Sequence, residues 1–117
     1  MDIGLVHASL MGNFSMGELL SEVEEFIKKQ QPQAQAKILH KINLLQQYGS
    51  RLGIPHSKLL GSGIYELRIR GKEEIRICYC FRKRTIHLLH AFKKQSQKTP
   101  RNEFMTALRR FGNIDII

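Results

Sequence analysis

Cysteine is scarce in this chain of 117 residues, which contains only Cys78 and Cys80. One residue separates them on a predicted strand, so both side chains point to the same face and suit reduced thiols better than a disulfide. No second Cys or His pair lies at ligand spacing, so we expect no zinc, no other metal and no cofactor. Two reduced, structural thiols indicate a reducing compartment.

Long apolar runs are also missing. None approaches the roughly 20 residues that cross a bilayer, and the first 20 residues lack the basic start and apolar core of a signal peptide. We therefore expect a cytoplasmic protein without a membrane partner. A hydrophobic content of 42% excludes a disordered chain, and the length fits one domain covering residues 1–117.

Motifs of several enzyme classes are absent as well. The chain has no Walker loop, no H-E-x-x-H pair, no paired acids and no serine-nucleophile motif. Their absence argues against a nucleotide site, a metal hydrolase and a glycosidase. Any chemistry must therefore be carried by cations.

Acidic residues are few and the positive charge is concentrated. From Ile64 onward the chain contains 13 of the 19 Lys and Arg residues but only five of the ten acids, so this half carries +8 of the net charge of +9. Such a surface is typical of proteins with a phosphate-bearing or acidic partner, and RNA is the leading candidate.

Two helices are predicted first. Ser15-Met-Gly-Glu18 matches a capping box, which predicts a helix over residues 16–30. Pro32 opens a second helix that Tyr48 and Gly49 close, so residues 15–49 form an antiparallel helical hairpin. Residues 1–14 are an edge strand or a loose arm.

An antiparallel sheet of three to five strands is predicted over residues 58–92. Lys58-Leu59-Leu60 is a candidate strand, and from Ile64 the apolar residues alternate with charged ones on a wet face. Two consecutive hairpins lead to a central strand over residues 85–92, with Ile86, Leu88 and Phe92 on one face and Leu89 and Ala91 on the other.

A short C-terminal helix over residues 99–112 completes an α+β fold. Thr99 is its predicted N-cap, Pro100 stands at the first helical position, and Gly112 ends it.

Four cations are the candidate catalytic residues. Arg68 and Arg76 should lie opposite each other on the polar face of adjacent strands, and Lys93 and Lys94 follow the central strand, although only one of the two lysines can face a cleft directly. The alternative without a functional role is that Glu66, Glu73 and Glu74 neutralise these cations in surface ion pairs. Further RNA-binding candidates are Arg70, Lys72, Lys98 and Arg101.

His90 is a possible acid or base because imidazole titrates near neutral pH, but a structural histidine is the commoner outcome. Cations alone can cleave RNA. The ribose 2′-hydroxyl is an internal nucleophile, so a protein need only orient it, stabilise negative charge and move protons.

The runs L-L-G-S-G-I-Y-E-L-R, E-I-R-I-C-Y and L-L-H-A-F-K-K-Q-S-Q-K-T-P, with Glu103 and Ala107 after them, carry a resemblance. Over roughly residues 23–111 the chain resembles the phage-derived Gp49-like branch of RelE/HigB toxins from type II toxin-antitoxin modules. The resemblance implies a RelE-like fold and ribosome-dependent mRNA cleavage. It also implies a cognate antitoxin, typically a helix-turn-helix DNA-binding protein.

Matched by position, Arg68, Arg76, Lys93 and Lys94 correspond to the basic residues of the toxin's active cleft. The tyrosine that some relatives carry on the last helix falls at Phe104 here, which leaves the general base unassigned. Two alternatives stay open. One is a ParE-like inhibitor of DNA gyrase, and the other is a phage-derived nucleic-acid-binding protein without toxicity.

Overall fold

The computed structural model describes residues 14–17, 19–95 and 99–114. The predicted arm or edge strand at the N-terminus lies outside these ranges, except for Phe14, and so does Lys98. The described residues form three α-helices and one five-stranded sheet. In chain order these are β1 (Ser15–Met16), α1 (Ser21–Lys28), α2 (Pro32–Tyr48), β2 (Ser57–Gly61), β3 (Ile64–Ile69), β4 (Ile75–Arg82), β5 (Thr85–Lys93) and α3 (Arg101–Ile114).

The sheet has the order β1-β5-β4-β3-β2. Strands β2 to β5 pair antiparallel with their neighbours, while β1 pairs parallel with β5. The α+β prediction of a helical region, an antiparallel meander and a last helix is therefore confirmed. The strand at the centre is β4, and β5, predicted to be central, is an interior strand beside it.

The predicted start of the first helix was wrong. Ser15 does not cap a helix, because Ser15 and Met16 pair with Thr85 and Ile86 of β5, and the Ser15 hydroxyl lies 3.3 Å from that of Thr85. The helix begins at Ser21, five residues later, without a side-chain cap. Pairing with a distant strand thus overrides a local capping pattern.

The second helix follows its prediction and fixes the end of the first. Pro32 stands in the first turn of α2, and Gly49 follows its last residue with φ of +58°. A Cβ at Gly49 would lie 1.9 Å from the Phe14 ring, so the position requires glycine for space as well as for conformation. The Gln35 side chain donates to the carbonyls of Ile27 and Lys28, which satisfies the last turn of α1.

Two apolar clusters lie on opposite faces of the sheet. The larger cluster joins the sheet to the buried stripes of α1 and α2, which include Val23, Ile27, Ile38 and Ile42. The smaller cluster lies between the other face and α3, where Ala107 is fully buried. Both faces of β4 are consequently covered. The prediction that one face of this hairpin is wet was wrong for β4, whose residues from Ile75 to Cys80 are all buried.

A β-bulge changes the faces of β5. Cys78 pairs with His90 but Tyr79 pairs with Leu88, so Leu89 has no partner on β4. Leu89 and Phe92 consequently pack in the cluster under α3, and Ala91 packs on the opposite face. The predicted grouping of Phe92 with Ile86 and Leu88 was wrong, because an extra residue inverts the alternation that follows it.

The last helix also differs from its prediction at both ends. It begins at Arg101, and the backbone carbonyl of Pro100 accepts from the amides of Glu103 and Phe104. The Thr99 hydroxyl donates to the Glu66 carboxylate of β3 rather than capping the helix. Helix α3 continues through Gly112 to Ile114. None of the described helices is long and apolar enough to span a membrane.

Candidate functional site

An open cleft of about 620 Å³ lies at one end of the sheet. Most of its lining side chains are cationic. The lining residues are Arg68, Arg70, Gly71, Lys72, Glu74, Arg76, Lys94 and Gln95.

The strand register brings the cations together. Arg68 on β3 and Arg76 on β4 are direct partners, as the sequence predicts, so their side chains leave the same face of the sheet. Lys93 pairs with Ile75 on the opposite face, and Lys94 follows on the face of Arg76. The bulge at Leu89 sets this order, because without the extra residue the two lysines would exchange faces.

A buried carboxylate orients the two arginines. Glu66 lies on β3 with only 3% of its side chain exposed, and its Oε1 is 3.2 Å from Arg76 Nε and 3.5 Å from Arg68 Nε. The Thr99 hydroxyl donates to its other oxygen. Neutralising pairs were predicted at the surface, whereas this one lies inside the protein. A buried pair fixes side-chain orientation more firmly than an exposed one.

A second carboxylate stands inside the cleft itself. Glu74 Oε1 is 2.8 Å from Arg70 Nη1, and its Oε2 is 3.0 Å from Arg76 Nη2 and 3.7 Å from Lys94 Nζ. Three cations from three places in the chain thus converge on one anionic group. The geometry is that of an anion-binding site.

The Arg76 guanidinium is buried, with 1% of its side chain exposed. Burial lowers its pKa, and Glu66 and Glu74 oppose that shift, so the group stays charged. Nε lies within ion-pair distance of Glu66 but is not aligned for a hydrogen bond, and Nη1 has no hydrogen-bond partner among the described residues. Arg76 thus carries a buried donor that the described residues leave unsatisfied.

The other predicted residues divide between three places. Arg70 and Lys72 line the cleft with Lys94. Lys93 lies outside it and pairs with Glu73 at 3.0 Å. Arg101 lines a neighbouring concavity of about 340 Å³, together with Lys58, Leu60, Glu66, Arg68, Thr99 and Phe104.

His90 is engaged elsewhere. Its Nε2 lies 2.9 Å from Glu103 Oε1, and its Nδ1 lies 3.3 Å from Arg110 Nη1. It lines neither of the two concavities. The polar contacts of His90 are therefore with two side chains of α3.

Sequence reasoning missed three basic residues beside the cleft. On α2, Lys41 Nζ lies 2.6 Å from His56 Nδ1, and Lys37 Nζ lies 3.0 Å from the point that a Cβ at Gly71 would occupy. Burial and the charge of Arg70 lower the pKa of Lys41. Burial, Lys41 and His40 lower the pKa of His56, so its neutral ring accepts from the lysine. The (i, i+4) spacing of Lys37 and Lys41 was their only sequence signal.

In the described ranges, no three His, Cys, Asp or Glu side chains are arranged to hold a metal ion. Cys78 and Cys80 are buried free thiols, as predicted. Burial, with smaller contributions from Glu66 and Glu103, raises the pKa of Cys78 to about 12. Both thiols pack in the apolar cluster beside α3.

Comparison with protein-family models identifies the family of the chain. No curated protein matches the chain. The profile of the family described as "Phage derived protein Gp49-like (DUF891)" matches residues 25–112, which include the whole of β2 to β5 and every cation of the cleft. This family is associated with toxins of toxin-antitoxin systems. The chain belongs to the phage-derived Gp49-like family.

Proposed function

We propose that this protein is the toxin of a toxin-antitoxin module and that it inhibits translation by cutting mRNA on the ribosome. One observation carries the proposal. Arg68, Arg70, Arg76 and Lys94 converge in an open, polar cleft. An RNA phosphodiester bound there would meet several fixed donors at once, which is the arrangement that stabilises charge developing in a transition state.

The proposed reaction is attack of the ribose 2′-oxygen on the adjacent phosphorus. The O2′–P bond forms and the P–O5′ bond breaks, which leaves a 2′,3′-cyclic phosphate and a 5′-hydroxyl. The 2′-hydroxyl loses its proton and the departing 5′-oxygen gains one. No metal is needed, because cations of the protein can balance the extra charge on the phosphoryl oxygens.

We assign the cations different roles according to how deeply each side chain is buried. The buried Glu66 carboxylate pairs with Nε of Arg76, so the guanidinium is oriented before substrate binds. This preorganisation suits transition-state stabilisation. Arg70 is largely exposed and suits binding of the RNA backbone, together with Lys72, Arg101 and the lysines of α2.

The family also implies an antitoxin, which we propose is a DNA-binding repressor that covers the cleft with an acidic segment. Complementary charge favours such an interface. The dissociation constant of the complex should rise with ionic strength. A dissociation constant that is the same at low and high salt would contradict an electrostatic interface.

Inducible expression with mapping of mRNA 5′ ends tests the activity. We expect growth arrest, loss of protein synthesis and new 5′ ends within translated regions. Induction of the DNA-damage response with intact mRNA would instead indicate a gyrase inhibitor. Unimpaired growth would indicate a binding protein without toxicity, and either result would overturn the proposal.

A further inference from the structure

Among the described residues that line the cleft, Glu74 is the acidic one, and three of the cleft cations converge on its carboxylate. Both of its oxygens are in use, one by Arg70 at 2.8 Å and the other by Arg76 at 3.0 Å and Lys94 at 3.7 Å. A phosphate group offers oxygens to the same donors in much the same way. Carboxylate and phosphate are the two anions that arginine binds with paired hydrogen bonds.

The Glu74 side chain is able to leave without disturbing the sheet. Its backbone carbonyl accepts from the Lys94 amide at 2.8 Å, which anchors the main chain. The side chain is 28% exposed and follows the exposed bends of residues 71–73. Rotation about its side-chain bonds therefore suffices to carry the carboxylate into solvent.

We propose that the Glu74 carboxylate occupies the binding position of a substrate phosphate in the free protein and is displaced when the phosphate binds. The inference rests on the proposed function and adds a regulatory step to it. The exchange replaces one anion with another, so the buried Arg76 is never left with Glu66 as its only counter-charge. Anions that cannot reach Arg70, Arg76 and Lys94 together would not displace the carboxylate.

Glu66 cannot take part in the same exchange. Its side chain is only 3% exposed, and it is held by Arg76 and by the Thr99 hydroxyl. One carboxylate is therefore a fixed part of the site, while the other is a removable occupant. This difference gives the two acids opposite expected effects on RNA affinity.

Affinity for a 2′-O-methylated RNA oligonucleotide, which cannot be cleaved by the proposed reaction, tests the displacement. We compare the wild type with Glu74→Gln and with Glu73→Gln, which makes the same charge change outside the cleft. We expect Glu74→Gln to lower the dissociation constant at least fivefold more than Glu73→Gln does. Glu74→Asp keeps the charge but draws the carboxylate back by one methylene, and it should fall between wild type and Glu74→Gln.

If both glutamine variants lower the dissociation constant by the same factor, the effect comes from net charge alone and the proposal is overturned. Weaker binding by a folded Glu74→Gln protein would also overturn it, because Glu74 would then be needed to position Arg76. If Glu74→Gln fails to fold by circular dichroism, Glu74→Asp decides instead, because it should bind the oligonucleotide more tightly than the wild type, and binding no tighter than the wild type would overturn the proposal. Failure of the wild type to cut ribosome-bound mRNA would refute the proposed function alone, since this affinity comparison involves no cleavage.

Discussion

Arg76 shows how one side chain can support both the fold and the site. It is among the largest fully buried side chains, and it lines the cleft at the same time. Alternation along β4 predicts the face that Arg76 occupies, but it cannot predict that α3 covers that face. On the wet face that the sequence predicts, Arg76 could be removed without damage to the fold, whereas its burial indicates the opposite.

Replacement of Arg76 with alanine should therefore destabilise the protein. The change leaves Glu66 buried without its main partner, which costs about 3–5 kcal/mol in similar cases. Arg70→Ala is the matched control, because the Arg70–Glu74 pair is largely exposed and should cost about 1 kcal/mol or less. Urea denaturation of the two variants measures the difference. Equal losses would contradict a buried, structural role for Arg76.

Two buried side chains that ionise at alkaline pH, Cys78 and Tyr79, should make the free energy of unfolding decrease as the pH rises. Burial raises the pKa of both Cys78 and Tyr79 to about 12. Because both groups ionise more easily in the unfolded chain, the stability that they contribute is full below about pH 9 and is lost as pH rises towards 12. We expect Cys78 alone to remove about 2 kcal/mol between pH 8 and pH 10.5.

Urea denaturation at the two pH values measures this loss, and Cys78→Ala is the control. The variant lacks the thiol, so its stability should fall by less over the same interval. An identical fall in wild type and variant would show that Cys78 is not the group responsible.

At the scale of helices and strands, the sequence correctly predicts those elements whose position depends on local periodicity. The apolar stripe of α2, its closure at Gly49 and the two hairpins of β3 to β5 follow from spacing and turn residues. Ser15 and Thr99 were misassigned for a common reason. Each is a good capping residue whose hydroxyl instead meets a strand distant in sequence, at Thr85 and at Glu66.

The bulge in β5 could not be predicted either, since β5 contains no glycine to mark an extra residue. Its effect reaches the site, because it decides which of two adjacent lysines faces the cleft. The sequence establishes that one lysine faces away. Only the strand register identifies it as Lys93.

The Thr99 hydroxyl should hold the start of α3 against the sheet. Thr99→Val removes the bond to Glu66 and leaves a buried carboxylate oxygen unsatisfied, which should cost about 1–3 kcal/mol. Thr106→Val is the control, because it removes an exposed bond to the Asn102 carbonyl in the same helix. Thermal unfolding compares the two. Equal shifts in the unfolding midpoint would contradict the proposed anchor.

At the scale of the whole molecule, the charge distribution is the feature that the sequence predicts best. The concentration of cations after Ile64 predicts a cationic surface, and Arg68, Arg70, Lys72 and Arg76 all line the cleft. The contribution of Lys37 and Lys41 could not be predicted, because folding brings α2 to the cleft from the other half of the chain. Glu74 could not be placed either, since its contacts come from β4 and from the residues that follow β3 and β5.

The adjacent lysines give the most direct test of the central claim, that this cleft cuts RNA. Lys93 and Lys94 are chemically identical, but Lys94 lines the cleft and Lys93 pairs with Glu73 outside it. Single-turnover cleavage of mRNA on programmed ribosomes compares Lys94→Ala with Lys93→Ala. We predict a rate at least tenfold lower for Lys94→Ala, about 1.4 kcal/mol in transition-state energy. Equal rates for the two variants would contradict it.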